Sequence, residues 1–200
     1  MWEKAAILGG VTPDPGPPTV TGAFPGLQQL VAMGAGQLAV YSNFLSASHP
    51  LTVLDGQMTR IRSHNRRVDL IVTSQAGWVE LLSLHRSLGL TPDIRMASET
   101  GQNCLYYNNV PVCISDFIPI DTPVTEPPSP STTDFYFMTL GEPDGVFAIV
   151  NKNYPDVTMK QTHNENSAFM SYQADFYSAL VSTTSDALVR LSGFPLTALG

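Results

Sequence analysis

The chain has 200 residues, enough to bury a substantial core in one domain, or in one domain with a lobe. Its charged fraction is 14%, well below the ~25% of ordinary soluble domains, so hydration falls to Ser, Thr, Asn and Gln, or partners cover the surface. A formal net charge of -7 argues against a general grip on nucleic acid, which needs a basic face to displace counterions.

In chain order, Glu3 to Leu8 reads as the last turns of a helix stopped by Gly9 and Gly10. Pro13, Pro15, Pro17 and Pro18 forbid regular structure just after it. Leu27, Leu30 and Val31 then share one face of a short helix over Leu27 to Met33. Thr52 is placed as the N-cap of a helix carrying Leu54, Met58 and Ile61. Val68 to Thr73 is a short apolar run typical of a buried strand. Ser74 caps the next helix, whose apolar stripe is Trp78, Leu81, Leu82, His85 and Leu88, and Gly89 ends it.

The pattern then turns to strands. Val110, Val112 and Ile114 alternate with Pro111, Cys113 and Ser115. Ile118 to Thr133 holds five prolines and reads as an exposed loop. Phe135 to Leu140 and Val146 to Val150 are strands around the turn 141–145. Val157 to Gln161 is another strand, and Phe169 to Ser182 runs without Gly or Pro as a long one, about 45 Å if wholly extended. Asp186 to Leu191 adds a short final element. The predicted class is α+β, with helices early and a sheet late. No segment approaches the ~18 continuous apolar residues of a membrane span.

The sequence offers few chemical motifs. Gly34-Ala35-Gly36-Gln37-Leu38-Ala39 fits the GxGxxA pattern, with Asp55 beyond it, but helical spacing precedes it where a dinucleotide site needs a strand. His49, His64, His85 and His163 stand at no metal-ligand spacing, and no serine lies in a GxSxG elbow. Catalytic, cofactor and metal sites are therefore all read as none. Cys104 and Cys113 match no CxxC pattern and read as reduced thiols, which a hairpin over 103–115 would bring together. Arg60, Arg62, His64, Arg66 and Arg67 make one dense basic run. A helix C-terminus accounts for Arg60 and Arg62, while Arg66 and Arg67 are candidates for a contact between subunits.

The order and wording of the segments resemble the major capsid proteins of tailed phages, the Hong Kong 97-type fold shared with encapsulin shells. Lys4 to Gly10 and Phe24-Pro25-Gly26-Leu27 resemble the end of that family's spine helix and the segment after it. Pro50-Leu51-Thr52 and its helix, Asp69 to Ser74 and the Trp78 helix resemble the helix–strand–helix of the axial domain. Asn109 to Pro119 is similar to a "GxPVxxSDxxP" strand, with Asn109 in place of glycine. Phe169 to Ser182 and Ala187 to Leu191 look like the long peripheral strand and the closing segment.

The resemblance implies an N-terminally truncated α+β capsid fold: an axial domain plus part of the peripheral domain, without the N-terminal arm, extended loop and most of the spine helix. Residues 1–48 would hold the end of the spine helix and a connecting segment, 49–165 the axial domain, and 166–200 the long-strand segment. It implies a non-enzymatic shell subunit that assembles with copies of itself in a virion, made in a bacterial cytoplasm. Such a shell encloses double-stranded DNA without reading it, and meets portal, scaffold or decoration proteins but no membrane. Tyr106, Tyr107, Phe117 and Tyr154 join Arg66 and Arg67 as interface candidates, with core packing as the alternative for the aromatics. Two rivals stand beside this reading: a small-molecule enzyme holding a nucleotide cofactor at Gly34 to Ala39, and a phage adaptor domain that does not assemble.

Overall fold

The structure is a computed structural model that describes residues 26–41, 49–96, 103–121, 130–150, 158–163, 170–175 and 178–196. Its centre is one mixed sheet with strand order β1-β12-β7-β2-β5-β4-β3. These strands are β1 (Gln37–Val40), β2 (Leu70–Thr73), β3 (Asp93–Met96), β4 (Asn103–Tyr107), β5 (Val110–Ile114), β7 (Thr132–Met138) and β12 (Leu188–Pro195). β6 (Ile120–Asp121) adds a short pairing to β7. β1 runs parallel to β12 and β2 parallel to β5, and the other neighbours are antiparallel. Two ribbons stand apart from this sheet: β8 (Val146–Val150) with β11 (Ser178–Ser182), and β9 (Thr158–His163) with β10 (Met170–Asp175).

Side-chain alternation gives the sheet two apolar faces. One carries Ile71, Leu105, Val112, Phe135, Phe137, Val189 and Leu191 under α2 (Pro50–Arg62) and α3 (Gln75–Ser87). Phe194 stacks edge-on against both Tyr41 and Phe135 there, at 5.3 and 4.9 Å between ring centroids. The other face carries Val72, Tyr136, Met138 and Leu188 under α1 (Leu27–Ala32), Ile118 and Val146. The result is a sheet covered on both sides, which is why β7 reads as a nearly continuous apolar run.

Several sequence expectations hold. Leu27, Leu30 and Val31 are the buried residues of α1, and Ser74 caps α3 by accepting the Gly77 N–H at 3.1 Å. Others need correction. α2 begins at Pro50, not after Thr52. His49 occupies the cap position, and proline suits the first turn, where its missing N–H would have had no partner. In α3 Leu81 is buried and Trp78 and Leu82 pack partly buried against the core as expected, but Leu88 is 48% exposed and Ala76, Gly77 and Glu80 are buried as well. The small residue Gly77 lets the helix lie close on β7, where a Cβ would fall 2.9 Å from Thr133.

The late strands take separate partners. Within the expected long strand over 169–182, the described residues are strand throughout, with β10 paired to β9 and β11 to β8 in separate registers. β7 and β8 are strands around the turn 141–145, as expected, with β7 held between β12 and β2 and β8 paired to β11. The proline-rich span is tied down at both ends, with Ile118 buried and Ile120 and Asp121 paired to Thr133 and Thr132. β12 lies hydrogen-bonded between β1 and β7.

Candidate subunit interface

The candidate residues occupy different settings. Arg66 and Arg67 follow the turn after α2, where Asn65 takes a left-handed φ of 59°. The Arg66 side chain is 17% exposed, donates to the Thr184 hydroxyl, and lies 4.0 Å from Asp144. Arg67 points outward, 87% exposed, with its Nε 2.5 Å from Asp69 Oδ1. Tyr106 is half-buried beneath the Arg95 guanidinium, which sits 4.9 Å from its ring centre. Tyr107 is only 4% exposed and belongs to the helix-side core. Its hydroxyl donates to Asp55 Oδ1 at 2.8 Å, and burial followed by that hydrogen bond pushes its pKa far up. Phe117 packs half-buried against the second core. Tyr154 lies outside the described residues.

Several exposed apolar groups lie at the two edges of the sheet. Leu88, Leu90 and Ile94 lead into edge strand β3, at 48%, 51% and 47% exposure. Met33 precedes the opposite edge strand β1 and Leu38 lies within it, at 74% and 55%. An edge strand offers unpaired backbone groups as well as side chains, so both places are suited to contact with another chain. The β3 edge also carries a charge clamp: Arg95 Nε donates to Asp93 Oδ1 at 2.8 Å, and its Nη2 to Asn109 Oδ1 at 3.2 Å. The signal for these sites in the sequence is a leucine just past a helix-ending glycine, which periodicity assigns to a loop.

The residues of the rival readings have structural duties. Gly34, at φ 81°, ends α1, and a Cβ on Gly36 would fall 2.9 Å from Val31 and 3.0 Å from Leu188. Here a helix precedes the glycines and a strand follows, the reverse of a dinucleotide loop. His85 stands edge-on to Tyr107 at 5.7 Å between ring centroids, and His64 lies 3.7 Å from Asp186. Among the described residues, no three His, Cys, Asp or Glu side chains are grouped to hold a metal ion.

No family model and no curated protein matches the sequence. Among solved structures, the chain is similar to a chain in the cryo-electron microscopy structure of the holo-SrpI encapsulin complex from Synechococcus elongatus PCC 7942. The TM-score is 0.69 at 22% identity, over 86% of this chain and 57% of that one. The chain thus spans little more than half the length of this neighbour. The large mixed sheet with few helices is an encapsulin-like fold of the Hong Kong 97 type.

Proposed function

We propose that the protein is a structural subunit of a closed shell, assembling through contacts with copies of itself, and that its role is geometric rather than catalytic. The observation that carries this reading is the encapsulin-like fold over 86% of the chain. The low charge content and the apolar groups at β1 and β3 support it, because repeated modest interfaces stabilise symmetric assemblies. The histidines support a non-enzymatic role, since His49, His64 and His85 each have an intrachain structural contact.

The finer reading is a phage or prophage capsid enclosing double-stranded DNA in a virion, alongside portal, scaffold or decoration proteins. Its support is the segment resemblance together with a surface of net negative charge, which would hold DNA without gripping it. A second reading, a cellular compartment of the encapsulin kind, is favoured by the neighbour itself. Sedimentation velocity and electron microscopy of the purified protein test the common claim. Ring- or shell-shaped particles support it, and a monomer across the accessible concentration range overturns it. Nuclease-protected DNA inside the particles would then select the capsid, and co-purified protein the compartment.

A further inference from the structure

Cys104 and Cys113 stand opposite each other in the β4–β5 hairpin. Its ladder runs Tyr107 to Val110, Tyr106 to Pro111 and Leu105 to Val112. The next step, still inside both strands, sets Cys104 against Cys113. Asn108 and Asn109, at φ 49° and 64°, make a two-residue turn of the primed type, so Tyr107 and Val110 form the hydrogen-bonded pair that closes it. Alternation along an antiparallel ladder then makes Cys104 and Cys113 a non-hydrogen-bonded pair. Pro111, two positions from Cys113, fits this phase because its lack of an N–H costs nothing facing β4.

In a non-hydrogen-bonded pair the Cα atoms are about 4.5 Å apart and the side chains at their closest, within the range disulfides span. Both cysteines are free and half-buried. Row neighbours on the same sheet face are Arg95 beside Cys104 and Val72 beside Cys113. The pair thus has one neighbour at the exposed sheet edge and one in the core.

We propose that Cys104 and Cys113 are a cross-strand dithiol that a low-molecular-weight disulfide, such as oxidised glutathione, converts into an intrachain disulfide locking the β4–β5 hairpin. Burial and the neighbouring sulfur push the Cys113 thiol up, which makes Cys104 the first nucleophile. Its thiolate attacks one sulfur of the reagent, breaking that S–S bond and releasing one glutathione thiolate. Cys113 then loses its proton to solvent and displaces the second glutathione thiolate from Cys104. The hairpin gives up two electrons and two protons, and the reagent leaves as two thiols. The lock would rigidify the hairpin tip, where Asn108 Nδ2 holds Asp55 of α2 at 2.7 Å. This inference does not depend on the shell reading.

The test treats the native protein with excess oxidised glutathione, quenches with iodoacetamide and maps the peptides. Arg95 and Lys152 bracket one tryptic segment holding both cysteines. The expected segment is two hydrogens lighter than the reduced one and unalkylated, so free thiols fall from two to none. Chymotryptic cleavage after Tyr106 or Tyr107 should leave two pieces joined until a reductant is added. Cys113→Ser should stop at a glutathione adduct on Cys104. Glutathione adducts persisting on the wild type, links between chains, or two alkylated thiols after treatment would each overturn the proposal.

Discussion

Tyr107, in the β4 strand, donates its phenolic hydrogen to Asp55 on α2 at 2.8 Å, and so ties the edge hairpin to the helix layer. Asn108 adds a second hydrogen bond to the same carboxylate oxygen at 2.7 Å. Hydrogen bonds to a charged group contribute about 1.5–3 kcal/mol when well formed. Tyr107→Phe keeps the packed ring and removes only the hydroxyl, so it should lower unfolding free energy by about 1–2 kcal/mol. Urea denaturation reads this. A loss no larger than that of an exposed substitution would mean that solvent, not Tyr107, satisfies Asp55.

Two helix glycines should respond in opposite directions to the same change. A Cβ on Gly56 would meet nothing within 4 Å, and the position is exposed inside α2. Gly56→Ala should therefore stabilise by about 0.5–1 kcal/mol through lower unfolded-chain entropy. At Gly77 a Cβ would overlap the Thr73 hydroxyl and fall 2.9 Å from Thr133 Cγ2. Thr73 is itself committed to the Asp134 carbonyl oxygen at 3.0 Å, so Gly77→Ala should destabilise by about 1–3 kcal/mol. Thermal melts of the two variants, shifted up and down respectively, check both at once.

The same contrast shows what the sequence could carry. Strongly patterned elements were legible: the α1 face, the Ser74 cap and the alternation of Val110 and Val112 all rest on local rules. The buried face of α3 was legible only in part: periodicity finds Leu81, Trp78 and Leu82, whereas the approach to β7 is set by the absence of a side chain at Gly77. Nor were the strand partners legible. The runs within 169–182 have strand character, yet pairing to β9 or β8 depends on residues far away in the chain. The two-residue turn at Asn108 and Asn109 was a signal available and unused, since both residues tolerate left-handed backbone. Of the candidate interface, residue type pointed to aromatics and arginines, but exposure is a tertiary property, and it sends Tyr107 inward and Arg67 outward.

Asp134 and Arg190 form a largely buried ion pair between β7 and β12, with Oδ2 accepting from Nε at 2.9 Å and Nη2 at 2.7 Å. Asp134 Oδ1 also accepts the Gly193 N–H at 3.3 Å, where β12 bulges. Their side chains are 5% and 18% exposed. Asp134→Ala would strand the guanidinium and the bulge N–H together, and should cost about 3–5 kcal/mol. The double variant Asp134→Ala, Arg190→Leu should recover part of that loss, which a double-mutant cycle in urea would measure. Equal losses in the single and double variants would show that the penalty comes from packing rather than from the unpaired charge.

Tyr136 makes the fold sensitive to alkali. It is fully buried, and burial, with Arg190 opposing and Asp134 reinforcing, pushes its hydroxyl up to about 12. The unfolded chain ionises this group near pH 10. A raised folded value means that its contribution is intact below about pH 10 and is lost as pH rises from about 10 towards 12. Among the described residues the Tyr136 hydroxyl has no hydrogen-bond partner, so Tyr136→Phe should be near neutral at pH 7. Its unfolding free energy should then fall less steeply than the wild type's across the alkaline window. Parallel slopes for the two proteins would assign the sensitivity to another group, with the raised Tyr107 next in line.

Arg66 and Arg67 are adjacent in sequence and opposite in situation, which separates stability from association at a single dipeptide. Arg66 is committed within the chain, to the Thr184 hydroxyl and towards Asp144. Arg66→Ala should cost about 1.5–3 kcal/mol of unfolding free energy, the range for hydrogen bonds from a charged donor. Arg67 pairs with Asp69 from an 87% exposed side chain, so Arg67→Ala should stay within about 0.5 kcal/mol of the wild type. If Arg67 meets an acidic surface on a neighbouring copy, the same variant should associate more weakly and lose part of the salt dependence of assembly. Sedimentation velocity at low and high salt, beside urea denaturation, distinguishes the two effects. Wild-type association of Arg67→Ala at both salt concentrations would remove this residue from the interface, leaving the apolar edges at β1 and β3 to supply the contact.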